Sequence, residues 1–216
     1  MIKVAFGKLF YFSLIFLQAN LVSENSFMDN LLFFLDSIHP LSEELRTYLL
    51  RTVKSRNLRK KAFLLRPGHV CRCIYFIQRG LLRAFYLKGD LEVCSWFMKE
   101  GDICVSIESF YVQKESYEFI QAIEDCEFFY ITYEELEFIY SNFIEFNVIG
   151  RVLTIKYLQL WAQQLYAIRM KTAKERYHWL MKYYPELLLR VPQKHIAGYL
   201  DITPETLSKI KGIRLV

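Results

Sequence analysis

The sequence predicts an α+β protein, in which a central region of short strands forms a small barrel or jelly roll and helices precede and follow it. Two patterns lead to this prediction. Apolar residues recur at three- and four-residue spacings on both sides of the central region. Within it, short apolar runs are divided by Gly and Pro turn signals. The chain has 216 residues and is 53% hydrophobic, which permits a substantial core in one large domain or two small ones.

The distribution of charge adds a functional expectation. Residues 150–216 hold 12 Lys and Arg against 4 Asp and Glu, whereas residues 1–149 hold 16 against 19. A basic third attached to a slightly acidic remainder is typical of a nucleic-acid-binding module on a sensing or scaffolding domain. Chance clustering of charge is the alternative.

The N-terminal stretch is apolar and open to more than one interpretation. The segment from Leu9 to Ser23 is uncharged, and Lys3 and Lys8 precede it. Its 15 residues are few for a membrane-spanning helix and are closer to a signal-peptide core. The preferred interpretation is a mis-assigned start, with translation beginning at Met28. A genuine membrane anchor is the alternative.

Residues 28 to about 57 are predicted to be helical. Leu31, Phe34 and Leu35 share one face, and a second short helix opens after Pro40. From residue 58 to 132 the pattern changes to strands. Turns are predicted at Pro67-Gly68, at Arg79-Gly80 and at Gly89, the last in a hairpin.

A long helix is predicted from about residue 143 to 169, after a shorter one over 132–140. Its apolar residues form a seam at three- and four-residue spacings and a second apolar side. A helix that is apolar on two sides needs two partners, here the barrel and the same helix of a second subunit. A single buried core helix is the alternative. The predicted seam residues are Ile155, Leu158, Ala162 and Leu165.

A further helix is predicted from Thr172 to Tyr184, ended by Pro185 and followed by a short connector. The segment QKHIAGYLDITPETLSKIKG, residues 193–212, then reads as two short helices joined by a tight turn. Thr203 is a suitable N-cap, and Pro204 suits the first helical position. This pattern is that of a helix-turn-helix, with an ordinary helical hairpin as the alternative.

One position in that turn departs from the usual pattern. Asp201 stands where the backbone tends to a left-handed conformation and Gly is more common. Asp tolerates this conformation better than most residues, so the prediction of a helix-turn-helix stands.

The five cysteines, Cys71, Cys73, Cys94, Cys104 and Cys126, show no spacing of a zinc site. We expect reduced and mostly buried thiols in a cytoplasmic protein, with a redox pair at the first two as the alternative. The sequence shows no Ser/His/Asp or Cys/His pairing, no P-loop and no metal-ligand cluster. It therefore predicts neither an enzyme nor a bound cofactor or metal.

Four segments together resemble the Crp/Fnr family of bacterial transcription regulators, in the divergent form found in Bacteroidetes-type bacteria. They are YFIQRGLLRAFY (75–86), KEGDI (99–103), KTAKERYHWLMKYYPEL (171–187) and VPQKHIAGYLDITPETLSKI (191–210). The resemblance covers nearly all of the chain from residue 28. It implies a cyclic-nucleotide-binding-like barrel of double-stranded β-helix type, a dimer through the long helix, and DNA bound as two half-sites.

The resemblance also implies domain boundaries. Residues 1–27 are a doubtful extension, and residues 28–145 are the effector domain. Residues 146–169 are the dimerisation helix, and residues 170–216 are the helix-turn-helix domain. Relatives continue into a β-hairpin wing, and this sequence ends six residues after Ile210, so a truncated wing is expected.

The resemblance implies an effector pocket at Gly101, Asp102 and Ser116, and Arg83 is a further candidate that could reach across from the hairpin. Cyclic-nucleotide sensors hold the phosphate with an Arg at the position of Ser116, and no Arg occurs between Met98 and Gly150. A phosphodiester needs a bidentate cation, and Lys114 is a poor substitute, so no response to cyclic AMP is predicted.

Other sensing groups of the family also find little support. An iron–sulfur cluster would need N-terminal cysteines, and none precedes Leu58. Haem would need an axial ligand such as His69, which is more simply a solvated turn residue.

The predicted function is a homodimeric, DNA-binding transcription regulator. Its predicted partners are a palindromic operator, a second copy of the chain, an unnamed small-molecule effector and RNA polymerase. The alternative is a ligand-binding or protein-interaction module that no longer reads DNA. The residues expected to contact DNA are Gln193, Lys194, Thr203, Pro204, Glu205, Thr206, Ser208 and Lys209.

Overall fold

The computed structural model describes residues 24–212. Most of the doubtful N-terminal extension and the site of the expected wing lie outside the described residues. Helix α1 (Glu24–Ile38) begins four residues before Met28, and the proposed translation start stays a prediction. Within residues 24–212 no helix combines the length and the apolar character that crossing a bilayer requires.

The central region forms two antiparallel four-stranded sheets, which confirms the predicted jelly roll. One sheet has the strand order β1-β8-β3-β6 and the other β2-β7-β4-β5. Buried side chains of both sheets belong to one hydrophobic cluster. The strands are β1 (Lys54–Leu58), β2 (Phe63–Leu65), β3 (Cys73–Arg79), β4 (Leu82–Lys88), β5 (Leu91–Met98), β6 (Ile103–Cys104), β7 (Phe119–Ala122) and β8 (Cys126–Thr132).

The predicted turns are where the sequence places them. Gly89 has φ +62° in the β4–β5 hairpin. Gly80 separates β3 from β4 with φ +101°, and a Cβ there would lie 2.5 Å from the Asp125 carbonyl oxygen. Only glycine satisfies both the backbone conformation and the close approach at this position.

The helices agree with the sequence in order and differ at three places. Strand β1 occupies residues predicted as helix, because it is an exposed edge strand whose pairing with β8 is a tertiary contact. Helix α3 (Ile107–Val112) interrupts the run of strands predicted for residues 58–132. Pro185 ends one helix but also begins another, since the first helical position needs no N–H donor. The remaining helices are α2 (Glu43–Thr52), α3 (Ile107–Val112), α4 (Tyr133–Asn142), α5 (Ile144–Met170), α6 (Ala173–Tyr183), α7 (Pro185–Arg190), α8 (Gln193–Tyr199) and α9 (Pro204–Gly212).

Helix α5 lies along the barrel and is anchored to it by side-chain hydrogen bonds. The Ile103 N–H donates to Tyr157 Oη at 2.8 Å, and Gln164 Nε2 donates to the Ser95 carbonyl at 2.7 Å. Gly150 allows close packing at the start of the helix, because a Cβ there would lie 2.5 Å from Tyr140 Oη. These contacts orient one side of α5 toward the barrel and leave the other free.

The C-terminal helices pack on the outside of the same barrel. Barrel residues Leu81, Cys94, Phe97 and Ile123 share a hydrophobic cluster with α6, α7, α8 and α9. Tyr199 of α8 packs against Phe97 of β5 with ring centroids 5.1 Å apart. The proposed helix-turn-helix domain is therefore in contact with the effector domain through a shared core.

Ion pairs surround this shared core. The Arg190 guanidinium donates to both carboxylate oxygens of Glu100, at 3.0 and 2.7 Å, and to both of Glu124, at 3.0 and 2.5 Å. Lys99 Nζ lies 2.5 Å from a carboxylate oxygen of Glu186. Arg190 and Glu186 belong to α7, so this short helix holds the C-terminal module on the barrel.

Candidate ligand cavity and nucleic-acid interface

A cavity of about 610 Å³ lies inside the barrel and reaches helix α5. Apolar side chains from both sheets, α1 and α5 form most of its wall. Its size falls within the range of small-molecule sites, and a few polar groups are concentrated at one part of the lining. The cavity is therefore a candidate effector site.

The polar part of the lining is built from the segment between β6 and β7. Ser106 Oγ and Ser116 Oγ lie 3.2 Å apart, and the Glu118 N–H donates to Ser116 Oγ at 3.0 Å. The hydroxyls of Ser106 and Tyr86 lie near the Glu118 carboxyl. Burial raises the pKa of Glu118 above its ordinary value of 4.5, although these two hydroxyls oppose the increase.

Of the four predicted pocket residues, the structure places only Ser116 in the cavity lining. The prediction for Arg83, Gly101 and Asp102 is corrected. Side chains alternate along β4, so Ala84 lines the cavity and Arg83 faces outward. Gly101 has φ +83° and forms the turn between β5 and β6 with Asp102, whose carboxylate accepts the Lys99 N–H at 3.0 Å.

Arg83 instead joins the barrel to α8. Its Nη1 donates to Glu92 Oε2 and to His195 Nδ1, both at 2.6 Å, and its Nε and Nη2 donate to Gln121 Oε1. Arginine can only donate, so His195 Nδ1 accepts and the imidazole is neutral. Burial and the adjacent Arg83 charge lower the pKa of His195 to about 4. Arg83 is thus a contact between the sheet and α8.

The helices α8 and α9 are joined by a tight turn, and three local features predicted for this pair are present. Asp201 has φ +52°, which confirms the left-handed turn. Thr203 caps α9, because its Oγ1 accepts the Thr206 N–H at 3.2 Å. Ala197 is fully buried, and Leu207 of α9 belongs to the same hydrophobic cluster.

Arg176 of α6 fixes this module relative to α5. Its guanidinium donates to the carbonyls of Leu200 and Asp201 at the end of α8, at 2.8 and 3.3 Å. It also donates to the carbonyls of Ile168 and Lys171 at the end of α5, at 3.2 and 2.8 Å. One side chain therefore links the long helix to the turn of the helix-turn-helix.

The residues expected to contact DNA lie on the surface of the module. All are exposed except Thr206, which is half-buried. They fall into two groups, one at the start of α8 and one along α9 and its cap. No partner in the described part of the chain covers them. They are Gln193, Lys194, Thr203, Pro204, Glu205, Thr206, Ser208 and Lys209.

The predicted seam of α5 is also exposed. Ile155, Leu158 and Leu165 are 42%, 61% and 50% exposed, and Ala162 is exposed as well. Trp161 adds to the same apolar surface at 66% exposure. Because several large apolar side chains on one helix remain in contact with water, this surface is unpartnered within the described residues.

The structure also shows the surroundings of the cysteines and of His69. Among the described residues all five cysteines are free, and all but Cys73 are buried. The Cys71 thiol donates to the Cys73 carbonyl at 3.4 Å, and burial raises the pKa of both thiols. His69 is exposed, with Nδ1 3.3 Å from the Pro67 carbonyl oxygen.

Sequence reasoning missed several residues that organise these sites. Glu118, just before β7, and Tyr86 of β4 both line the cavity, and Arg176 and Arg190 bind partners far away in the chain. For Arg176 the local sequence indicates only a positively charged residue inside the helix predicted over residues 172–184. Nothing in the neighbouring sequence identifies the partners of Arg190.

Comparison with known proteins agrees with this architecture. Residues 55–143 match the family model of the cyclic nucleotide-binding domain. No curated protein matches the sequence. A mutant of CooA from Carboxydothermus hydrogenoformans has a TM-score of 0.60 at 22% identity, over 79% of each chain. FixK2 from Bradyrhizobium japonicum has a TM-score of 0.60 at 18% identity, over 74% of this chain and 83% of its own.

A third solved structure has a similar fold. A protein from Eubacterium rectale described as a Crp/Fnr-family transcriptional regulator has a TM-score of 0.62 at 16% identity, over 79% of this chain and 82% of its own. At these identities the similarity concerns the fold. Residues 55–143 thus match the model of the cyclic nucleotide-binding domain, and the fold of the chain is similar to that of solved Crp/Fnr-type proteins.

Proposed function

We propose that this protein is a homodimeric, DNA-binding transcription regulator of the Crp/Fnr type that does not respond to cyclic AMP. The observation that carries the proposal is the exposed face of α9, which presents Glu205, Ser208 and Lys209 away from the barrel. Leu207 on the opposite face is buried in the core shared with the barrel. A polar, exposed second helix held by a capped turn is the arrangement that enters a DNA major groove.

The chemistry of this face suits base recognition. Lys209 can donate to the acceptors of guanine, and the Glu205 carboxylate can accept from the amino group of cytosine. Lys194 and Gln193 at the start of α8 are placed to bind phosphates, which set affinity rather than sequence preference. The net charge of +8 over residues 150–216 favours such contacts.

Substituting Lys209→Ala is expected to weaken operator binding by roughly 1–2 kcal/mol and to relax one operator position, since one base contact is lost. The operator would be obtained by selection from random DNA and from the promoter of the protein's own operon, and binding measured by mobility shift. Lys211→Ala is the matched control, because Lys211 is exposed on the same helix but lies beside the proposed reading face. The control should lower affinity without changing sequence preference.

Unchanged operator preference in Lys209→Ala would remove this residue from the reading face. If the wild type selects no DNA sequence at all, the alternative of a ligand-binding or protein-interaction module is supported instead.

Dimerisation is proposed through α5. The exposed seam of Ile155, Leu158, Ala162 and Leu165 lies on a helix whose other side is bound to the barrel. Pairing two copies along this seam would bury the apolar surface and relate two helix-turn-helix modules by two-fold symmetry. A two-fold protein matches a palindromic operator with two half-sites. RNA polymerase is a further proposed partner of the DNA-bound dimer.

Insensitivity to cyclic AMP follows from the charge of the cavity. The cavity lining contains Glu108 and Glu118 and, among the described residues, no Lys, Arg or His. Ser116 provides a hydroxyl where the resemblance calls for a guanidinium. A phosphodiester placed there would lose a bidentate cation and meet like charge.

We therefore expect calorimetric titration to give dissociation constants above about ten micromolar for both cyclic AMP and cyclic GMP. Mobility shift should show the same operator affinity with and without nucleotide at about one millimolar, which is roughly a hundredfold above that dissociation constant. Tight binding of either nucleotide, or a nucleotide-dependent change in operator affinity, would contradict the proposal.

A further inference from the structure

The barrel cavity has an electrostatic character opposite to that of an anion site. Its lining within the described residues includes two carboxyl side chains and no cationic one. Glu108 lies at the exposed edge, where it accepts a hydrogen bond from Tyr117 Oη at 2.6 Å. Glu118 is half-buried and is the carboxyl that the cavity surrounds.

The polar groups near the Glu118 carboxyl do not neutralise its charge. They are the hydroxyls of Ser106 and Tyr86, which are neutral groups. Burial raises the pKa of Glu118, so the ionised carboxylate is less stable here than in water. A cation brought into the cavity would restore the stability of the ionised form, because it would supply the missing opposite charge.

Aromatic rings stand next to this carboxyl. Tyr86 and Tyr117 stack with ring centroids 5.6 Å apart and an interplanar angle of 27°. Trp96 and Trp161 also line the cavity, one from β5 and one from α5. The faces of such rings attract organic cations, most strongly where water is excluded.

The remaining wall is apolar and encloses much more space than an ammonium ion needs. The cavity volume of about 610 Å³ suits a molecule with a ring system or a branched apolar body. A simple metal cation is not favoured, because one carboxyl with two neutral hydroxyls offers too few oxygen ligands.

We propose that the cavity binds an organic cation, an amine with a bulky aromatic or apolar body, whose ammonium group pairs with Glu118 and the rings of Tyr86 and Tyr117. This inference rests on the proposed function in that it assigns the ligand class to the effector cavity of the regulator. The body of the ligand fills the apolar part, next to Leu158 and Trp161 of α5.

The test uses three probes that share one ring system and differ in charge. They are naphthylmethylamine, naphthylmethanol and naphthoate, titrated by calorimetry into the full-length protein at neutral pH. The amine is expected to bind about tenfold more tightly than the alcohol, and naphthoate to bind more weakly than either. Equal affinities, a preference for naphthoate, or no binding of the amine at millimolar concentration would overturn the proposal.

Two substitutions separate the charge of Glu118 from its structural role. Glu118→Gln should remove the preference for the amine and leave the affinity for the alcohol unchanged, because the amide keeps the shape but carries no charge. Glu108→Gln is the matched control and should keep most of the preference, since this residue lies at the exposed edge. A Glu118→Gln variant that still prefers the amine tenfold would count against the pairing.

Operator binding by the wild type and by Glu118→Gln, measured without any probe, distinguishes this inference from the proposed function. Normal DNA binding without an amine preference would overturn the ligand class alone. An amine preference in a protein that selects no DNA would overturn the regulator function and leave the ligand class intact.

Discussion

Replacing Leu158 by glutamate is expected to turn the dimer into monomers and to abolish operator binding. Leu158 is 61% exposed at the centre of the apolar seam of α5 and also contributes to the cavity lining, so the substitution leaves the buried core of one subunit intact. In the dimer each glutamate would be transferred from water into an apolar interface without a partner, at a cost of several kcal/mol for the two copies. The dimer dissociation constant should rise by roughly a hundredfold or more. Sedimentation velocity at micromolar concentration and mobility shift on a two-half-site operator measure the two effects.

The matched control is Leu189→Glu. Leu189 is 89% exposed on α7 and lies outside the seam, so this variant should remain dimeric and bind DNA as the wild type does. A monomeric wild type at micromolar concentration, or a dimeric Leu158→Glu variant, would show that α5 is not the interface.

Replacing Arg190 by methionine is expected to destabilise the protein by about 3 kcal/mol and to lower its Tm by roughly 6–12 °C. Methionine keeps much of the aliphatic stem but none of the hydrogen bonds to Glu100 and Glu124. Two half-buried carboxylates would then remain close together without a cation. We expect the C-terminal module to loosen from the barrel, which thermal unfolding and limited proteolysis would detect. An unchanged Tm would show that the shared apolar core alone holds the module.

The pH dependence provides an internal check on this prediction. Burial acts to raise the pKa of Glu100, but hydrogen bonds from Arg190 and from the Gly80 N–H outweigh it, so the pKa lies below the ordinary 4.5. The stabilisation is therefore complete above pH 4.5 and is lost as the pH falls through the lowered value. The difference between wild type and variant should shrink in that range.

Arg79→Met is the matched control for Arg190→Met. Arg79 pairs with Glu127 alone, and its side chain is 65% exposed. Such a pair contributes at most about 1 kcal/mol, so the control should change the Tm little at any pH. An equal decrease of Tm in both variants would indicate a general effect of removing a positive charge, rather than an effect of the contact between α7 and the barrel.

The helical pair of α8 and α9 shows how much of the structure local sequence can predict. Asp201, Thr203 and Pro204 predict a left-handed turn, a cap and a first helical residue, and the structure has all of the corresponding geometry. Each of these features depends on the backbone within about four residues, so the residues that predict it are the same residues that form it. The turns at Gly80 and Gly89 were predictable for the same reason.

The candidate cavity was much less predictable. Ser116 was found through the resemblance, but Arg83 was assigned to the wrong side of β4. Residues 82–85 are all buried, because both faces of the sheet are covered there. The alternation of buried and exposed residues, which normally distinguishes the inner face of a strand from the outer face, is therefore missing. On the outer face Arg83 is covered in part by His195 of α8, and this contact joins residues 112 positions apart.

The sequence by itself determined the order of elements, the turns of the barrel, and the capped helical pair with its exposed polar face. These depend on short-range sterics and hydrogen bonds, which neighbouring residues specify. Tertiary structure alone decided that Glu118 faces a cavity without a cation, that Arg83 contacts His195, and that Arg190 joins α7 to the barrel. Those arrangements depend on which distant segments the fold brings together, because a charge or hydrogen-bonding group acquires its partner only when the chain has packed.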